Sequence, residues 1–182
     1  MKLIENYFAK HQKIFETLNK DEIVSAINII QQTIKNNKKI ITFGNGGSAS
    51  TAQHFITDWI KMASVIKGIK IRGMSLVDNN GIVTAYANDL NYDEIFSQQL
   101  NSICDEGDLC VPISVSGNSK NVILGTKMAS KIGANTLGFL GYDGGKLKEF
   151  CQHSILVPSD DMQICEDVHL MIGHIIMKGI IS

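Results

Sequence analysis

His54 and Asp58 stand four residues apart in the stretch IITFGNGGSASTAQHFITDW, Ile40 to Trp59. Residues at i and i+4 share a helix face, so an imidazole and a carboxylate reach one point there. Such a pair suits a metal ion or a proton transfer, although the spacing fits a solvent-facing His–Asp contact as well. A second set lies near the end of the chain, where Glu166, His169 and His174 interrupt an apolar helical pattern. Glu166 and His169 share a face by i,i+3 spacing, while His174 lies about 80° around the helix from Glu166 at 3.6 residues per turn. Either histidine alone reads as a core or interface residue. Carboxylate and histidine on two separate helices are harder to dismiss.

The His54 helix is preceded by an anion-binding pattern. The apolar run Ile40–Phe43 reads as a buried strand, breaks at Gly44-Asn45-Gly46-Gly47-Ser48, and resumes as a helix. Glycines let backbone N–H groups approach a ligand, and the helix that follows aims its unpaired N–H groups and positive dipole end at the same spot. No Gly-Lys-Ser/Thr follows, and Ala49 stands where a dinucleotide fingerprint needs its third glycine, so neither of those nucleotide motifs is present. A tight ligand-free turn is the alternative. The pattern recurs at Ser114-Val115-Ser116-Gly117-Asn118-Ser119, again between a strand and a helix. Its serine hydroxyls suit phosphate oxygens or a serine-rich helix cap. In a parallel sheet both loops lie at carboxyl ends of strands and border one crevice.

These residues need a scaffold, and the hydrophobic periodicity supplies one. Met1 to about Asn19 and Asp21 to Asn37 read as amphipathic helices that cover the sheet or form a helical interface between subunits. Strands are expected at Ile40–Phe43, Ile69–Val77, Leu109–Val115, Asn135–Gly141 and Ser154–Val157. Pro112 is awkward for a central strand and predicts a bulge or local break. Helices are expected after Ser48, after the turn Asp78–Gly81 through Ala87, over Asp93–Cys104, Asn121–Lys131 and Lys146–Phe150, and from Met162 to about Ile181, the last capped by Ser159-Asp160-Asp161. The expectation is an α/β fold: a parallel five-stranded sheet flanked by helices, a flavodoxin-like three-layer sandwich with two leading helices, forming a single domain over residues 1–182.

Composition excludes several classes. At 44% hydrophobic and 19% charged the chain has a globular profile without disorder signals. A net charge of −1 leaves no electrostatic footprint for nucleic acid. No apolar run approaches the roughly 18 residues of a membrane span, and the N-terminal segment, with acids and polars inside its apolar pattern, does not read as a signal peptide. Cys104, Cys110, Cys151 and Cys165 show no C-x-x-C spacing and read as reduced thiols of a cytoplasmic protein.

The motifs GNGGSASTAQHF, AND, ISVSGNS and VPSDD…EDVHLMIGH resemble the sugar isomerase (SIS) family, and within it the sedoheptulose 7-phosphate isomerases. The resemblance covers nearly the whole chain. It implies a homotetramer with active sites at subunit boundaries, a bound zinc, and conversion of an open-chain ketose into an aldose 7-phosphate through an enediol. By the resemblance Asn45, Gly46, Gly47, Asn88 and Asp89 hold substrate, and Ser114, Ser116 and Ser119 cradle the phosphate with Ser48 nearby. His54 falls on the first zinc ligand and His174 on the last, which is also an acid/base. Two positions depart from the family pattern: Asp58 stands where the family has a ligand and catalytic glutamate, and Glu166 where it has a glutamine ligand. His54, Asp58, Glu166 and His174 together remain a reasonable set for zinc or manganese.

Aldose–ketose isomerisation needs a phosphate grip, a base beside the carbonyl, and stabilisation of the developing oxyanion. The serine loop meets the first need. Asp58, Glu166 and His174 are candidates for the second, with Glu166 slightly favoured, and a metal on His54 meets the third. A non-catalytic phosphosugar-binding regulator and a replication-initiator-binding scaffold of the same fold are the rival readings. Neither needs all four metal-ligating residues.

Overall fold

The computed structural model describes residues 1–182. Two helices lead, α1 (Lys2–Thr17) and α2 (Lys20–Lys35). Strands and helices follow in the order β1 (Lys39–Gly44), α3 (Gly47–Lys67), β2 (Arg72–Ser75), α4 (Asn80–Asp89), α5 (Ile95–Ile103), β3 (Leu109–Ser114), α6 (Lys120–Ile132), β4 (Asn135–Gly141), β5 (His153–Val157) and α7 (Met162–Ile181). Short 3-10 turns at Tyr92–Glu94 and Lys146–Phe150 precede α5 and β5.

The strands form one all-parallel sheet in the order β2-β1-β3-β4-β5. Both faces are covered, so the strands alternate between two apolar environments rather than between core and water. Ile40, Val111, Ile113, Phe139 and Val157 face a core closed by α2, α3 and α7. Ile41, Phe43, Cys110 and Leu140 face a smaller core closed by α5 and α6. After β1 the chain therefore crosses one face through α3, and after β3 it crosses the other through α6. A sheet with this order opens a crevice between β1 and β3, outside their carboxyl ends. The glycine loop and the serine loop flank that crevice.

The expected architecture is present, with local corrections. β2 is confined to Arg72–Ser75, shorter than expected, because it is an edge strand paired with β1 alone. Helix α3 continues past Trp59 to Lys67, where Gly68 at φ 65° closes it in the left-handed conformation. Helix α4 includes Asn88 and Asp89. Pro112 lies in the central strand opposite Phe43, without a bulge. The β3–β4 register is the same on both sides of it, Cys110 with Thr136 and Ile113 with Phe139, while Val111 and Pro112 lack bridge partners on β4. The missing N–H interrupts the ladder there without shifting it.

Candidate active site

The glycine loop is shaped by Gly46, whose φ of 54° and ψ of −123° lie in a region open essentially to glycine. That conformation starts α3 at Gly47 without a side-chain cap, leaving its first N–H groups aimed into the crevice. Asn45 is anchored across the crevice. Its Nδ2 donates to Asn121 Oδ1 at 2.8 Å, and Asn121 Nδ2 donates back to Asn45 Oδ1 at 2.9 Å. Tyr92 adds a hydroxyl donor to Asn45 Oδ1 at 3.0 Å. The two loops are thus locked to each other through side chains.

The serine loop presents donors. Ser114 Oγ accepts from the Gly117 N–H at 3.2 Å and donates to Ser119 Oγ at 3.4 Å, and Ser116 Oγ accepts from the Asn118 N–H at 3.2 Å. Ser119 occupies the cap position of α6 but makes no capping bond. The hydroxyl hydrogens of Ser48, Ser116 and Ser119 have no acceptor in the protein, and all three side chains line one pocket of about 160 Å³. With the N-termini of α3 and α6 alongside, this is a cradle for an acceptor-rich anion.

A second cluster lies two turns along α3. Gly173 lets α7 approach the ring of Phe55, against which a Cβ would collide. Trp59, stacked on Phe55, donates its indole N–H to the Gly173 carbonyl at 3.0 Å. This close seam brings His54 and His174 together with their Nε2 atoms 2.9 Å apart. Asp58 joins them, and one ligand atom from each of the three lies within 4.8 Å of the others. Asp58 Oδ2 is buried without a hydrogen-bond partner. An orphaned carboxylate oxygen beside two converging imidazole nitrogens fits a divalent metal, and three protein ligands with an open position are the pattern of a catalytic site.

Glu166 is not brought to that cluster within one chain. α7 runs unbroken from Met162 to Ile181, so Glu166 and His174 are separated by about 12 Å along its axis at 1.5 Å per residue. Instead the Glu166 carboxylate packs over Gly47, in space a side chain there would fill, and lines the serine-loop pocket. Asn88 and Asp89 are exposed at the end of α4, bonded to each other at 2.9 Å and away from that pocket's lining. His169 belongs to the core: its ring packs edge-on to Phe139 and its Nε2 lies 3.0 Å from the Leu140 carbonyl. Burial pushes its pKa down to about 4.

Asn121, Tyr92 and Tyr142 border the crevice and were not singled out by the sequence. Asn121 carries a usable signal in retrospect, since it sits two residues beyond Ser119. Tyr92 and Tyr142 carry none.

The open α/β sheet with two phosphate-type turns at one switch point defines a SIS domain, and residues 6–141 match the family model of that description. The phosphoheptose isomerase of Clostridium acetobutylicum is 38% identical over 156 residues, spanning 86% of this chain and 79% of that protein. That of Aliarcobacter butzleri is 37% identical, spanning 94% of this chain and 92% of its own. The solved phosphoheptose isomerase of Neisseria gonorrhoeae superposes with a TM-score of 0.90 at 29% identity, covering 98% of this chain and 97% of its own. The chain belongs to the phosphoheptose isomerase family of SIS-domain enzymes.

Proposed function

We propose that this chain isomerises sedoheptulose 7-phosphate to D-glycero-D-manno-heptose 7-phosphate through an enediol, as a single domain of residues 1–182. The observation that carries the reading is the pairing of two unlike sites along one helix seam. A cradle rich in hydroxyl donors, with the Glu166 carboxylate on its border, sits at the N-terminal end of α3, and a three-ligand cluster sits two turns further on. A protein that only grips a phosphosugar needs the first and not the second.

In this reading Ser48, Ser116 and Ser119 donate hydrogen bonds to the phosphoryl oxygens while Ser114 holds the loop in shape. The N-termini of α3 and α6 add favourable dipole ends. Binding energy from the phosphate then positions the reacting carbons. Asn45, Gly46 and Gly47 face the sugar; the contacts from Asn88 and Asp89 that the family resemblance implies lie outside the serine-loop pocket of one chain. His54, Asp58 and His174 would hold zinc, which when bound would supply a positive charge for the developing oxyanion.

Isomerisation removes a proton from the carbon next to the carbonyl and returns one to its neighbour. The group responsible must reach both carbons of that unit. Asp58 and His174 lie together, and Glu166 lies at the phosphate end of the seam. The separation along α7 supports a reading in which Asp58 transfers the carbon-bound proton within one chain and His174 moves hydroxyl protons. Glu166 then accepts a hydrogen bond from a sugar hydroxyl, since a carboxylate beside a phosphate is repelled by it. The exposed apolar face of α1 supports self-association, which the family resemblance makes a homotetramer; the net charge of −1 favours a small-molecule partner over nucleic acid, and the four free cysteines suit the cytoplasm.

The test is incubation with a panel of ketose phosphates in deuterated water, read by NMR, with bound metal per chain measured on the same sample. Sedoheptulose 7-phosphate should take up deuterium at the carbon that receives the proton and yield the aldose. No exchange into any ketose phosphate by metal-loaded protein would refute the proposal.

A further inference from the structure

Tyr142 and Asn37 are the non-glycine residues at positive φ, each at 54°. Asparagine tolerates the left-handed region, but an aromatic residue there is an outlier, held in place by its surroundings. The surroundings of Tyr142 are the supports of the serine loop. Tyr142 opens the turn after β4, whose Gly141 N–H donates to the Val115 carbonyl at 3.0 Å. Beyond the turn, Leu147 N–H donates to the Gly117 carbonyl at 2.8 Å and Lys146 N–H to Asn118 Oδ1 at 3.2 Å. The turn and the serine loop therefore brace one another, and Tyr142 borders the crevice from this turn.

Tyr142 lines the serine-loop pocket and also an adjoining cleft of about 650 Å³ bordered by Asp143, Pro158, Ser159 and Asp160. It is the residue common to both. Tyr142 is 37% exposed overall, and its hydroxyl makes no hydrogen bond within the protein. The neighbouring cleft carries the carboxylates of Asp143 and Asp160, which repel an anion. A phosphoryl group held by Ser116 and Ser119 would otherwise open directly onto that acidic cleft.

We propose that Tyr142 is a substrate-contacting residue that forms the fourth wall of the phosphate cradle. Its ring separates the bound phosphoryl group from the acidic cleft, and its hydroxyl donates to a phosphoryl oxygen. The ligand class is a sugar monophosphate, so the inference rests on the reading of the serine loop given above.

Calorimetry with inorganic phosphate, thermal melting, and kcat/KM for sedoheptulose 7-phosphate are measured on wild type, Tyr142→Phe and Tyr142→Asn. The phenylalanine variant keeps the wall and loses the donor, so phosphate affinity and kcat/KM should fall by roughly tenfold, the scale of a hydrogen bond to a charged group. The asparagine variant accepts the left-handed backbone and loses the wall. Its affinity should fall further while its melting temperature stays level or rises, a combination that a merely structural side chain does not produce. Phosphate affinity within about twofold of wild type in both variants overturns the proposal, as does a melting temperature that falls together with affinity in Tyr142→Asn. If wild type binds phosphate but does not turn over the heptose phosphate, the isomerase reading fails and Tyr142 is judged on phosphate affinity alone. If wild type binds no phosphate, the cradle and this inference fall together.

Discussion

Asn45 and Asn121 exchange a pair of side-chain amide hydrogen bonds across the crevice, joining the loop after β1 to the start of α6. Asn121 is buried, and its Oδ1 also accepts from the Val122 N–H at 2.9 Å. Asn121→Ala removes all three bonds and strands buried polar groups. A loss of about 2–3 kcal/mol of stability is expected, together with weaker phosphate binding because Asn45 is no longer anchored. Asn121→Asp keeps the Val122 bond but cannot donate back to Asn45, and it adds a negative charge beside the cradle. It should therefore melt closer to wild type than the alanine variant and still bind phosphate more weakly. Thermal melts and phosphate titration of both variants check this.

Ser116→Ala deletes one hydroxyl donor from the cradle and an acceptor for the Asn118 N–H. Sugar-phosphate binding should weaken by on the order of 1–3 kcal/mol, the scale of a hydrogen bond to a charged group. Asn118 is exposed, so water replaces the lost acceptor and the melting temperature should change little. Calorimetry showing wild-type affinity would remove Ser116 from the cradle.

How much of this was legible beforehand follows from how local each signal is. Both loops could be read because strand, glycine turn and helix are consecutive in sequence. His54 and Asp58 could be paired because one helix sets their spacing. Their meeting with His174 depends on Gly173 against Phe55, a contact between helices more than a hundred positions apart, which no local pattern encodes. For the same reason the resemblance groups Glu166 with His54 and His174, whereas within one chain the continuity of α7 holds it at the serine-loop end. Ile69 to Val77 looked like one strand because its composition suits one, but an edge strand is only as long as its partner allows. The strained backbone of Tyr142 left no trace in composition, since nothing about tyrosine predicts a positive φ.

Burial of His169 makes a pH prediction with a definite sign. Its pKa falls from the ordinary 6.5 to about 4 in the folded chain. Between those values the unfolded chain binds more protons than the folded one, so stability rises with pH across the window. It is lost as pH falls from about 6.5 to about 4, by about 3 kcal/mol in total. His169→Gln can still donate to the Leu140 carbonyl but has no proton to take up. Unfolding free energies measured across this range should show a shallower acid slope for the variant than for wild type. Parallel slopes would mean that His169 is not a source of acid sensitivity.

Leu3 and Phe8 on α1 are 81% and 68% exposed, and Ile4 lies exposed on the same helix. Nearby, Phe15, Val24 and Ile175 border an apolar groove between the leading helices and α7. Exposed apolar surface of this extent suits an interface between copies of this chain. Sedimentation at micromolar concentration should report an assembly larger than one chain. Phe8→Glu should shift it toward monomer without unfolding the sheet, since Phe8 packs in neither core. A monomeric wild type would defeat the tetramer and any site completed by a neighbouring subunit.

The division of labour between Asp58 and Glu166 gives the sharpest prediction, because two substitutions rank in opposite orders under the two assignments. If Asp58 moves the carbon-bound proton, Asp58→Asn abolishes turnover, since an amide cannot accept and return a proton. Its loss also removes a charged ligand, so bound metal per chain should fall as well. Glu166→Gln then keeps appreciable activity, because an amide oxygen still accepts a hydrogen bond from a sugar hydroxyl. It should lower KM slightly by removing a negative charge near the phosphate. If Glu166 carries the proton instead, Glu166→Gln is the inactive variant and its metal content is unchanged. In that case the separation along α7 requires the Glu166 carboxylate to serve a metal cluster other than the one on its own helix, which is a cluster in a neighbouring subunit. Mixed assemblies of Glu166→Gln and Asp58→Asn chains distinguish the two further. A site built within one chain gives no recovery of activity on mixing, while a site shared between subunits regains a fraction of it. Turnover, metal per chain and the mixing experiment together decide between them, and the geometry within the single chain predicts inactivity for Asp58→Asn, retained turnover for Glu166→Gln, and no recovery.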